Sequence, residues 1–206
     1  MRIGIDFDNT IVSYDALFHK VAIEKGVIPA HLRQTKLAVR EHLRRSGQED
    51  VWTEMQGHVY GARMEEAAAY PGAMEFLKWA ARQGTSVFII SHKTRHPFIG
   101  PRYDLHSAAR LWVDHHLRDG ARALVKAEDV FFELTQEQKL DRIRAVACNY
   151  YIDDLPEVLL APGFPEGTQR ILFDPEAHHD DAGPLKSMRS WQDILSYFQR
   201  ECRSIR

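Results

Sequence analysis

Met1-Arg2-Ile3-Gly4-Ile5-Asp6-Phe7-Asp8-Asn9-Thr10 is the stretch whose reading decides the fold. Apart from Arg2, residues 1–5 are apolar or small, with β-branched Ile3 and Ile5, which reads as a short buried strand. Asp6 and Asp8 then stand at its C-terminal end, the edge at which open α/β sheets bind ligands. Two carboxylates one residue apart can divide one reaction: one oxygen attacks an electrophile while the other moves a proton. They can also help to hold a hard cation such as Mg2+, or act as turn and helix-capping acids. A calcium loop does not fit, because its glycine and distal glutamate are missing.

Outward from this motif the pattern turns helical. Periodicity predicts helices over 16–25, 30–45 and 50–69 with no strand signal between them, so residues 14–69 are expected to be a small helical cap inserted into a core of 1–13 and 70–206. Pro71-Gly72 marks a restart. A helix over 73–82, a buried strand over 85–90 closed by Ser91, and a helix over 103–118 follow. A strand at 129–132 leads to a helix over 136–147, opened by Thr135 and Gln138 as a capping box. A strand over 149–152 runs into Asp153-Asp154, 169–173 reads as the last strand, and Ser190 with Asp193 opens a final helix. This alternation implies a doubly wound, Rossmann-like α/β core with a parallel sheet of about five strands and right-handed crossovers.

Composition narrows the function by exclusion. The chain has 206 residues and a net charge of −2, which argues against broad nucleic-acid or anionic-membrane binding. Arg40, Arg44 and Arg45 read as a solvated helix face. Cys148 and Cys202 form neither a disulfide framework nor a metal spacing, so a reducing compartment fits. Asp6 and Asp8 interrupt any signal peptide, and no apolar run approaches the ~20 residues that span a bilayer. The expectation is a soluble, cytoplasmic monomer or homodimer.

Polar signals fall at the ends of three apolar strands: Asp6/Asp8, Ser91 and Asp153/Asp154. In a parallel sheet these ends share one edge. Together with Lys139, they resemble the four motifs of the haloacid dehalogenase superfamily of phosphatases and phosphotransferases. Asp6-Phe7-Asp8-Asn9-Thr10 is similar to the first motif, Ser91 to the second, Lys139 to the third and Asp153-Asp154 to the fourth. The resemblance spans the chain apart from the insertion, which falls where many members carry a helical cap. It implies Asp6 as nucleophile, forming an aspartyl-phosphate, and Asp8 as the group that protonates the leaving oxygen and then activates water. It also implies Mg2+ held by Asp6, the Asp8 backbone carbonyl and Asp153, with Ser91 and Lys139, beside Asn9 and Thr10, on the phosphoryl group. Such chemistry needs a cation and a lysine, because a carboxylate approaching a phosphate dianion meets like charge.

Several readings stay open at this level. Asp154 is either a further metal ligand or the cap of the helix behind Asp154-Leu155-Pro156-Glu157. Lys93 competes with Lys139 for the phosphate. The basic loop containing His92, Lys93 and Arg95 is either a substrate clamp or a solvated loop. Trp52, Gln56, Tyr60 and Arg63 recur at helical spacing and either face the pocket or pack between cap helices. His178-His179-Asp180-Asp181 reads as a solvated turn. Three functions follow: a Mg2+-dependent phosphatase of a small phosphorylated metabolite such as a sugar phosphate or nucleotide, a mutase or phosphotransferase using the same phospho-enzyme, and a non-catalytic binding module of the same fold.

Overall fold

The computed structural model describes residues 1–179 and 183–204. In chain order its regular elements are β1 (Arg2–Ile5), β2 (Val12–Ser13), α1 (Asp15–Glu24), α2 (Lys36–Arg45), α3 (Glu49–Tyr60), β3 (Ala68–Ala69), α4 (Ala73–Arg82), β4 (Ser86–His92), α5 (Leu105–His116), β5 (Arg118–Asp119), β6 (Arg122–Ala123), β7 (Val130–Glu133), α6 (Gln136–Val146), β8 (Tyr150–Asp153), α7 (Pro156–Leu159), β9 (Gln169–Phe173), β10 (Lys186–Met188) and α8 (Trp191–Ser204). The main sheet has six parallel strands in the order β10-β9-β8-β1-β4-β7. Strand β1 lies centrally, with Ile5 level with Ile89 on one side and Ile152 on the other. Asp6, Ser91 and Asp153 therefore leave the sheet along one edge.

The doubly wound parallel sheet is as expected, with one strand more after 169–173, the stretch expected to be its last. Strand β10 adds to β9 at the sheet's rim, and only Met188 of its three residues is buried. A polar rim strand lacks the apolar run that reveals a central one.

Pleating accounts for the first motif. Alternation turns Phe7 into the core, where Trp112 and Phe132 meet its ring edge-on at centroid distances of 5.4 and 5.2 Å. On the far side of the motif, Trp191 Nε1 donates to the Thr10 carbonyl at 2.9 Å. The motif is thus anchored at both ends by buried tryptophans.

Helices α1 to α3 form the insertion. It is joined to the core by an antiparallel ribbon in which Val12 pairs with Ala69 and Ser13 with Ala68. Two of its predicted helices are shorter than expected. Helix α2 starts only at Lys36, because Thr35 is extended and its side chain accepts from the Ala38 N–H at 3.2 Å. Helix α3 stops at Tyr60, next to Gly61, and a 3-10 turn (Met64–Glu66) and β3 take up the rest. Gly57 in α3 and Gly61 just past its end receive the segment before α5. A Cβ at Gly57 would meet Pro97 at 2.6 Å, and one at Gly61 would collide with Tyr103. The insertion is thereby seated against the loop that follows β4.

Candidate active site

Asp6 emerges from β1 with its N–H bonded to the Ile152 carbonyl at 2.8 Å, which brings it beside the end of β8. Lys139, the fourth residue of α6, reaches beneath both strands and is wholly buried. Its Nζ lies 2.6 Å from Asp6 Oδ1 and 2.6 Å from Asp153 Oδ2. Burial alone would drive the ammonium to shed its proton, but Asp153 and Asp6 outweigh it and raise the lysine above its ordinary range. Asp6 moves the other way from a normal carboxyl: burial pushes it up to about 6, Lys139 opposes the rise, and Asp153 and Asp8 add to it.

Oxygens of Asp6, Asp153 and Asp154 lie within 4.8 Å of one another. Burial raises the Asp154 carboxyl well above its usual range, and the like charges of Asp153 and Asp6 raise it further. Three crowded carboxylates with one lysine form an all-oxygen donor set that calls for another positive charge, which fits a hard divalent cation such as Mg2+. Asp154 does not cap α7. The N-cap there is Leu155, with no side-chain cap, and it is Asp153 Oδ1 that accepts the Leu155 N–H at 2.9 Å. Asp154 Oδ1 instead accepts from the Thr10 hydroxyl at 3.1 Å, so Thr10 is engaged in fixing a carboxylate.

The Asp8 side chain stands apart from this cluster. Lys93 Nζ bridges both of its oxygens, at 3.0 and 2.7 Å, and the Tyr14 hydroxyl donates to Oδ1. Lys93 is buried, with its ammonium 4.6 Å from the centre of the Tyr60 ring. Burial favours a neutral Asp8, but Lys93, Tyr14 and Lys36 together outweigh it and hold the carboxyl below its usual range. The two acids of the motif are therefore shifted in opposite directions from the ordinary carboxyl.

A cavity of about 320 Å³ opens over both acids and includes Ser91, His92, Gln56 and Tyr60 in its walls. Ser91 is buried within β4, which runs on to His92, past the expected strand end. His92 Nδ1 is buried with no hydrogen-bond partner among the described residues, and burial lowers its pKa. Asn9 lines the same cavity in a left-handed conformation (φ 57°), its Oδ1 accepting from Lys36 at 3.3 Å.

The remaining candidates divide. Gln56 and Tyr60 reach the cavity, whereas Trp52 is buried against Phe18, with ring centroids 4.8 Å apart. Arg63 is tied to Glu24 and Glu66. The Trp52–Arg63 stripe is thus half packing and half pocket. Arg95 is turned to Asp104 at 3.1 Å, while Lys93 from the same loop points inward. His178 and His179 give their backbone N–H groups to Asp174; Asp180 and Asp181 lie outside the described residues. Arg40 corrects the solvated-face reading, because it lines a second cavity next to the first. Tyr14 and Lys36 also reach the site and carry no sequence signal, since neither sits in a motif or at the end of a main-sheet strand.

No family model matches the chain, and no curated protein matches it significantly by sequence. Solved structures do match along nearly its whole length. A predicted phosphatase from Clostridium acetobutylicum is 12% identical with a TM-score of 0.61, covering 97% of this chain and 98% of that one. A HAD family hydrolase from Deinococcus radiodurans R1, solved with bound phosphate and sodium, is 16% identical with a TM-score of 0.58, at 97% and 95% coverage. A β-phosphoglucomutase from Pyrococcus sp. strain ST 04 is 12% identical with a TM-score of 0.57, at 93% of each chain. The chain has the fold of the HAD-superfamily hydrolases, a parallel α/β sheet with a helical insertion.

Proposed function

We propose that the chain is a Mg2+-dependent phosphatase acting on a small phosphorylated metabolite, with residues 14–69 as the cap over its site. The observation that carries this reading is the division of labour at the end of β1. Asp6 is buried between Lys139 and the Asp153/Asp154 carboxylates, whereas Asp8 is held separately by Lys93 and Tyr14.

In this reading an Asp6 oxygen attacks phosphorus and the bond to the leaving oxygen breaks. Asp8, protonated from solvent once the entering phosphate draws Lys93 toward itself, gives its proton to that leaving oxygen. The product half departs, and an aspartyl-phosphate remains on Asp6. Asp8, now a carboxylate, takes a proton from water as the water attacks phosphorus. The bond from phosphorus to the Asp6 oxygen breaks, releasing phosphate and restoring the free carboxylate. Ser91 donates to a phosphoryl oxygen, and Lys139 steadies the Asp6 charge before and after transfer. Asp6, Asp153 and Asp154 would hold Mg2+, which would supply positive charge against the phosphoryl group. The cap, through Gln56 and Tyr60, encloses the site and limits water during the first step.

The test is phosphate release from a panel of phosphorylated metabolites with and without Mg2+. An Asp6→Asn chain that kept full activity would overturn the aspartyl-phosphate route. Transfer to a supplied alcohol in place of release would convert the assignment to a phosphotransferase.

A further inference from the structure

A second cavity, of about 240 Å³, lies between α2 and residues 174–179 that follow β9. It shares Asn9, Asp154 and Leu155 with the cavity over Asp6 and Asp8, so the two are neighbouring chambers. Lys36 and Arg40 line it from α2, and their spacing of four residues puts them on one helix face. Tyr70 and Phe173, packed edge-to-face at 4.9 Å, give it an apolar wall.

Its charged groups are unevenly matched. Every lining carboxylate already has a donor: Asp15 takes the Lys36 N–H, Asp174 those of His178 and His179, Glu176 the Arg33 guanidinium, and Asp154 the Thr10 hydroxyl. Of the lining cations, Arg33 is paired with Glu176 and Lys36 has polar partners, which leaves Arg40 as the one with an unmatched donor among the described residues. Lys36 stands at the doorway, bonded to the Asn9 carbonyl and to Tyr60, with Asp8 and Asp154 at longer range. Arg40 Nε is buried with no hydrogen-bond partner among the described residues. A buried donor without an acceptor is costly unless a ligand supplies one, and two like charges a turn apart repel unless something negative lies between them.

We propose that this side chamber binds a second anionic group on the far end of the substrate, with Arg40 as its principal donor and Lys36 guarding the passage from the reacting phosphate. The substrate is then a phosphomonoester whose leaving half ends in a carboxylate or a further phosphate, its carbon skeleton lying along Tyr70 and Phe173. This assignment rests on the phosphatase reading of the neighbouring site, but its test does not depend on turnover.

The full chain with Mg2+ is titrated with unhydrolysable alkylphosphonates of ethyl to hexyl length, each carrying a methyl, carboxylate or second phosphonate end. At one or more spacer lengths an anionic end should tighten binding about tenfold or more over the methyl end. The end that gains more identifies carboxylate or phosphate as the group recognised. Arg40→Gln should remove most of that advantage, and Arg45→Gln, at an exposed residue paired with Glu41, should keep it. Equal affinities for all three ends at every length would overturn the proposal, as would an advantage that survives Arg40→Gln. Failure of the Asp6 chemistry shows separately, as an absence of phosphate release while the binding difference stands.

Discussion

Lys93 spans both oxygens of Asp8, at 3.0 and 2.7 Å, so the acid expected to handle the proton is held as a carboxylate by a buried ammonium. An acid in that state cannot protonate a leaving group until the lysine is drawn elsewhere. An entering phosphate is the natural competitor, being more highly charged than the carboxylate. Lys93 would then couple substrate arrival to the readiness of Asp8.

Replacing Lys93 by Met tests that coupling. The group that holds Asp8 below its usual range is lost, so the carboxyl titrates at higher pH. Asp8 then stays protonated further up the scale, and the optimum of kcat/KM moves to higher pH. The lost charge at the phosphate lowers kcat/KM by about a hundredfold. An unmoved pH profile would separate Lys93 from the proton chemistry.

Lys139→Met leaves Asp6 and Asp153 buried together without their shared counter-charge. Breaking a buried ion pair from one side costs about 3–5 kcal/mol, and chemical denaturation should report a loss of that order. Mg2+ should restore more stability to the variant than it adds to the wild type, because the cation takes over part of the missing charge. Equal gains would show that Lys139 and the cation do not serve the same carboxylates.

Cation affinity should fall with acidity, and the sign follows from Asp6. Its carboxyl, raised to about 6, keeps a proton in mildly acidic solution that a bound cation must displace. One proton on this group makes Mg2+ binding about tenfold weaker at pH 5 than at pH 7. The raised Asp154 steepens the fall. Isothermal titration at several pH values, in buffers of differing ionisation heat, reads both the affinity and the protons released.

Gly57→Ala sets two effects against each other. Alanine is the better helix former by about 1 kcal/mol. Its Cβ, however, would meet Pro97 at 2.6 Å, and overpacking of this kind costs about 1–3 kcal/mol. Net destabilisation is expected, with Pro97→Gly, which removes the Cβ that is met, recovering part of it. A double-mutant cycle on thermal unfolding measures that recovery, and strict additivity would show that the two residues do not meet.

The sheet, and the edge at which Asp6, Ser91 and Asp153 gather, were legible because central strands announce themselves. Val87, Ile89 and Ile90 before Ser91, and Tyr150 to Ile152 before Asp153, are buried runs ending in a polar group. Burial on both faces leaves no other reading. Strand β10 was missed for the same reason, since Lys186-Ser187-Met188 gains its place from the edge of β9 and not from its own side chains. The helical spacing of Trp52, Gln56, Tyr60 and Arg63 showed that they share a face but not what that face meets. Phe18 claimed Trp52, Glu24 claimed Arg63, and the pocket kept the two between them. The partners of Asp8 were harder still to find. Tyr14 lies at the ribbon and Lys36 at the start of a helix, and each reaches the site only because the insertion folds back over β1.

The ribbon of Val12–Ser13 with Ala68–Ala69 places the insertion's entry and exit on adjacent strands, about 4.8 Å apart. To the sheet, everything between Ser13 and Ala68 is therefore equivalent to the loop of a hairpin. Helices there can be lengthened, replaced or exchanged for another chain's without altering the register that aligns Asp6 with Asp153. The length of the insertion is thus free to vary without disturbing the sheet, provided that Tyr14 and Lys36 keep their places at Asp8 and Asn9.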